Sequence, residues 1–103
     1  MYEDFLPERL ASLRTQKGVS ARDMSLTLGQ ADNYINNIEN RKMLPSMTAF
    51  FYICEYLKIS PRDFFDEDNA YPERLAGIID VLKKLDSEEL THIFGIAKCL
   101  AKK

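Results

Sequence analysis

Glycine and proline are scarce in this chain, four of each among 103 residues, and they fall between segments whose apolar residues recur at helical spacing. That placement constrains the fold more than any other feature, and it predicts an all-α architecture. Leu6, Leu10 and Leu13 stand at i, i+4 and i+7 in a first segment over 6–17, which Gly18 closes as a left-handed cap. Ser20 and Asp23 form a variant capping box at the head of a second segment, which carries Met24 and Leu28 inward and ends at Gly29. A third helix is expected over 31–39, with Ile35 and Ile38 buried. Ser46 caps a fourth over 47–57, whose Phe50, Ile53, Cys54 and Leu57 make one stripe. Ser60-Pro61 starts a short fifth helix ending near Phe65.

The acidic run Asp66–Asn69 reads as a linker. Beyond it, a sixth helix from Pro72 to Leu85 and a seventh from Ser87 to about Lys102 are expected to fold as a hairpin across Asp86–Ser87. The organisation expected is therefore a five-helix unit over 1–66 and a C-terminal helical hairpin over 70–103. Each hairpin helix keeps one apolar side. Leu75, Ile78, Ile79 and Leu82 lie on the first, and Leu90, Ile93, Phe94, Ala97 and Leu100 on the second. Since the five-helix unit is complete without them, these residues are the expected surface of a homodimer.

Composition narrows the function. Cys54 and Cys99 are far apart and lack the paired spacing of a metal site, so two reduced thiols in a cytoplasmic protein are expected. No apolar run approaches the ~18 residues that span a bilayer. The single histidine, His92, has no nucleophile that sequence places beside it, and no glycine-rich phosphate loop occurs. The chain is expected to be no enzyme, with no cofactor, no metal and no small-molecule ligand.

The stretch Gly29–Asn40 reads GQADNYINNIEN, rich in amides and without lysine or arginine. At ~100° per residue, Ala31, Ile35 and Ile38 share one face, and Asp32, Asn33, Asn36, Asn37 and Asn40 spread over the other. An Asn or Gln amide can bond adenine bidentately without any charge. Two short helices joined at a glycine also match the helix-turn-helix unit, whose second helix enters the major groove.

The order of residues from Leu10 to Phe65 makes that match more specific. Leu13-Arg14, Lys17-Gly18, Val19-Ser20, Leu28-Gly29, Ile35, Ile38-Glu39, Lys42, Pro45-Ser46, Leu57, Ser60 and Phe65 lie in an ungapped pattern over 6–65. The pattern resembles the DNA-binding domain of Cro/CI-type phage repressors and the xenobiotic-response-element (XRE) family. The resemblance implies a lambda-repressor-like bundle that binds double-stranded DNA. It places base reading at Ala31, Asp32, Asn33 and Asn37, with Gln30 and Asn36 beside them. It places phosphate contact in the loop Arg41–Lys42; Arg14, Arg22, Tyr34 and Asn40 are further candidates by their nearness to that helix. It also pairs Arg14 with Glu39 as a structural brace. Two positions depart from the pattern: Ala21 stands where glutamine is common, and Asp32 where an amide or a cation is usual.

Residues 1–65 hold eight basic and eight acidic side chains. Non-specific attraction to a polyanion should therefore be small. A protein-interaction module on the same scaffold, antitoxin-like or anti-repressor, is the rival reading.

Overall fold

The computed structural model describes residues 2–102, and among them all regular structure is helical. Seven helices follow in order: α1 (Tyr2–Lys17), α2 (Ala21–Thr27), α3 (Tyr34–Glu39), α4 (Met47–Leu57), α5 (Pro61–Phe64), α6 (Pro72–Leu82) and α7 (Ser87–Ala101). The chain divides into two compact units, Met1–Glu73 and Arg74–Lys103.

Three of the punctuating residues lie inside helices: Pro7 in α1, Gly77 in α6 and Gly95 in α7. α1 begins four residues earlier than its leucine spacing predicts. Pro7 gives up only one backbone donor, and Glu3 and Asp4 suit the positive end of the helix dipole.

The core of the first unit is built from the predicted stripes. Leu10 and Leu13 of α1 meet Met24 of α2, Ile35 and Ile38 of α3, and Phe50, Ile53, Cys54 and Leu57 of α4. Phe64 of α5 closes it, with its ring edge-on to Phe50 at 5.0 Å between centroids. Each such side chain contributes roughly 1.5–3 kcal/mol on burial. Helices α1 to α4 end in the same way. A left-handed residue follows the last turn, at Gly18, Gly29, Arg41 and Lys58. At α3, for instance, Arg41 N donates to Ile38 O (3.0 Å) and Lys42 N to Asn37 O (2.9 Å), the paired bonds of a Schellman motif.

The predicted linker belongs to the first unit. Arg9, on α1, is 8% exposed, and its guanidinium gathers the carbonyls that follow α5. Nε donates to Phe64 O (2.8 Å), and Nη2 to Asp63 O (2.8 Å), Asp66 O (3.0 Å) and Asn69 O (2.8 Å). Gln16 Nε2 donates to Ala70 O. Segment 66–70 is thus tied to α1 through its backbone, and the division falls at Glu73 rather than within the acidic run. Burial pushes the Arg9 guanidinium below its ordinary basicity, while Asp66 and Asp63 act in the opposite sense.

In the second unit, Asp86 and Glu89 form a complete capping box at the head of α7. Asp86 Oδ1 accepts from Glu89 N (2.8 Å), and Asp86 N donates to Glu89 Oε1 (3.0 Å). α6 stops at Leu82, and residues 83–85 form a turn, so Leu85 is not helical. α6 and α7 are not among the closely packed helix pairs. Every residue over 74–102 is at least partly exposed, so this unit has no buried core of its own.

Candidate nucleic-acid interface

Ser25 sets the geometry of the α2–α3 unit. It is fully buried; its Oγ donates to Ala21 O (2.7 Å) and accepts from Ile35 N (3.0 Å). In a helix starting at Ala31, Ile35 N–H would go to the Ala31 carbonyl. Ser25 takes that donor instead, and Tyr34 N donates to Ala31 O (3.0 Å). The third helix therefore starts at Tyr34, three residues later than predicted. Gly29, at φ +75°, makes the turn that brings the chain back, a conformation in which a Cβ is strained.

The expected base-reading residues consequently occupy two kinds of backbone. Gln30, Ala31 and Asp32 sit in the turn, and Asn33 is the residue before α3. All four are exposed. On α3 itself, Asn36 is exposed and Asn37 is half-buried; Asn40 is exposed just after the helix. The Asn33 side chain makes no capping bond to the helix, so its amide is not committed there. Tyr34 is half-buried against the core, and desolvation raises its hydroxyl above the usual range.

The expected phosphate contacts are arranged less simply. Arg14 makes three hydrogen bonds within the unit. Nε donates to Glu39 Oε2 (2.7 Å), Nη2 to Glu39 Oε1 (3.0 Å) and Nη1 to Val19 O (2.9 Å). This fork ties α3 to α1, and the hydrogen bond to Glu39 raises the Arg14 guanidinium above its ordinary basicity. Three of the five N–H donors of Arg14 are used within the unit, and one each remains on Nη1 and Nη2.

Arg22 Nη1 lies 3.2 Å from Asp32 Oδ2. Arg41, turned by its left-handed backbone (φ 63°), reaches α1, where it meets Asp4 Oδ1 at 3.2 Å and Glu8 Oε1 at 3.0 Å. Lys42 is exposed and has no carboxylate partner among the described residues. With the acidic run included, residues 1–73 carry twelve acidic and eight basic side chains.

Sequence reasoning missed Arg9 and Ser25. Arg9 sits on the same helical face as Leu6, Leu10 and Leu13, which was the available signal. Ser25 stands four residues after Ala21, and that small inward pair was its only trace.

In the second unit, Leu75, Ile78, Ile79, Leu90, Ile93, Phe94 and Leu100 are exposed, Ala97 is exposed as well, and Leu82 is partly covered. Val81 and Ile96, which lie outside the predicted stripes, are both 59% exposed.

The arrangement of α2, a glycine turn and α3 on a buried scaffold defines a helix-turn-helix protein. A family model described as a helix-turn-helix domain matches residues 8–69, more than half of the chain, and the chain belongs to that family. The family suggests a DNA-binding regulator and is typically non-enzymatic. No curated protein matches the chain significantly, and no solved structure does. Among the described residues there is no cluster of side chains suited to a metal, and no helix is long and apolar enough to cross a membrane.

Proposed function

We propose that this chain is a sequence-specific transcriptional regulator of the XRE type, a dimeric repressor that reads a palindromic operator. The observation that carries the reading is the exposed amide face of Asn33 and Asn36, with the half-buried Asn37, followed by Lys42, which has no carboxylate partner among the described residues, on a helix-turn-helix scaffold. Amides specify adenines; Lys42, with Arg22 and Arg41, positions the backbone. Dimerisation is assigned to α6 and α7, which display apolar side chains with no core to bury them. Two copies place their α3 helices about one DNA turn, ~34 Å, apart.

The test is selection of bound duplexes from a random library by the full-length chain, followed by binding of Asn33→Ala and Asn37→Ala. A palindromic site should emerge. Each variant should lose roughly 1–3 kcal/mol on it and relax preference at one position. Unchanged preference in both variants would remove the assigned readers. Sedimentation of the intact chain should give a dimer, and Ile79→Lys with Phe94→Asp should give a folded monomer. An intact chain that stays monomeric at about 10–100 µM overturns the dimer.

A second reading, a protein-interaction module without DNA binding, draws support from the acid excess of residues 1–73 and from the internal pairing of Arg22 and Arg41. A library selection that enriches no duplex favours it.

A further inference from the structure

Asp32 stands where the resemblance predicts a base reader, yet its carboxylate faces a cation of its own chain. Arg22 Nη1 and Asp32 Oδ2 are 3.2 Å apart, and their side chains are 69% and 56% exposed. An exposed pair of this kind is weak and exchanges readily with other partners. The same arrangement recurs at Arg41, whose guanidinium is shared between Asp4 and Glu8.

A phosphate and a carboxylate compete for the same guanidinium. On an arbitrary duplex, a phosphate drawn to Arg22 also meets the Asp32 carboxylate beside it, and that charge loses its partner as Arg22 turns toward the polyanion. The exchange returns little. On a duplex that offers a donor such as cytosine N4 at this position, the carboxylate finds a new partner as Arg22 departs. Both groups are then satisfied.

We propose that Asp32 is a specificity-determining residue, holding Arg22 back from phosphate until a matching base edge takes the carboxylate. This inference rests on the DNA-binding reading given above. It explains why an acid is tolerated at the mouth of the α2–α3 turn, where charge alone disfavours it. Asp32 suppresses attachment to the large excess of non-matching duplex while leaving binding to a matching site intact.

The test uses the full-length chain with Asp32→Asn, Arg22→Ala and the double variant. Both positions are exposed, and thermal melting checks that the fold is kept. Asp32→Asn should bind random duplex about fivefold more tightly, the scale of one exposed ion pair. Its affinity should also fall more steeply with salt, by about one unit of slope. In the Arg22→Ala background, the same Asp32→Asn change should gain less than about twofold. On the selected site, Asp32→Asn should lose its preference at one base pair. Unchanged binding of random duplex by Asp32→Asn overturns the proposal. So does an equal gain with and without Arg22, which reduces Asp32 to a general repulsion. These failures are distinct from failure of the DNA-binding reading, in which the unmodified chain enriches no duplex at all and this inference falls with it.

Discussion

Arg9→Ala tests how the first unit is held together. Nη2 carries two hydrogens and faces three carbonyls, so one bond is shared, and Nε supplies a further donor to Phe64 O. Hydrogen bonds from a charged donor are worth roughly 1.5–3 kcal/mol each. The contacts at Asp63, Asp66 and Asn69 are only part-buried, and water can replace them. The contact at Phe64 is buried, and truncation leaves that carbonyl without a donor. The desolvation that lowers the basicity of Arg9 also subtracts from the gross gain. A loss of about 3–5 kcal/mol follows, comparable with removing one partner of a buried charged contact. At ~4–8 °C per kcal/mol for a unit of this size, the melting temperature should fall by more than about 12 °C. Arg9→Lys should fall between the two, since an ammonium has three donors but cannot span the same fork. Circular dichroism melting supplies the measurement. Proteolysis adds a local readout, because cleavage after Asp66 or Glu67 should accelerate in Arg9→Ala. A melting temperature within about 3 °C of the unmodified chain, with 66–70 equally protected, would refute the assignment of Arg9 as the tie.

Ser25→Ala leaves the buried Ile35 N–H without an acceptor and should cost about 1–3 kcal/mol in a denaturant titration; an unchanged midpoint would mean that water or Ala31 O replaces the hydroxyl. Arg14→Ala and Glu39→Ala should each destabilise, and the double variant should cost less than their sum, whereas strict additivity would deny the coupling across the 2.7 Å fork. Cys54 is buried and desolvation pushes its thiol up to about 11, while Cys99 is exposed. A disulfide reagent near pH 8 should therefore label one thiol quickly and the other only on unfolding; equal rates would contradict the burial. The sign for stability follows: the raised thiol favours the folded state below the ordinary thiol range, and this contribution is lost as pH rises through about 11.

The helices were legible because their signals are local. Ser20, Ser46 and Ser60 each accept the backbone N–H three residues on, as their positions before apolar stripes predict. Asp86 and Glu89 do so reciprocally. What was not legible is long-range. Arg9 lies 54 to 60 residues from the carbonyls that it gathers, and a single arginine carries no mark of which carbonyls those are. The start of α3 was misplaced for the same reason. Its apolar spacing extends back to Ala31, but a hydroxyl ten residues earlier in the chain captures the Ile35 donor. The exposure of Asn33, Asn36 and Asn40 could be read from spacing. The pairing of Arg22 with Asp32 could not, because the turn that joins them is set by Ser25 and Gly29 together.

The electrostatics of the first unit bear on why a second copy matters to the proposed function. Among the described residues Lys42 has no carboxylate partner, whereas Arg14, Arg22 and Arg41 each have one or more, and acids outnumber bases over 1–73. The charge-driven share of affinity, which dominates non-specific binding, is therefore small. Base reading must supply most of the rest, at roughly 1–3 kcal/mol per good amide contact. Two such contacts give about 2–6 kcal/mol before the loss of rigid-body freedom, and a Kd of 1 mM already requires ~4 kcal/mol. On the proposed reading a single copy binds any duplex weakly. In the proposed dimer, joining two copies through α6 and α7 makes the second engagement intramolecular, and affinity rises without any added charge. An amide-rich reader without an excess of positive charge and an uncovered apolar helix pair are in this sense complementary. The first withholds affinity from arbitrary DNA, and the second restores it only where two correctly spaced half-sites lie side by side.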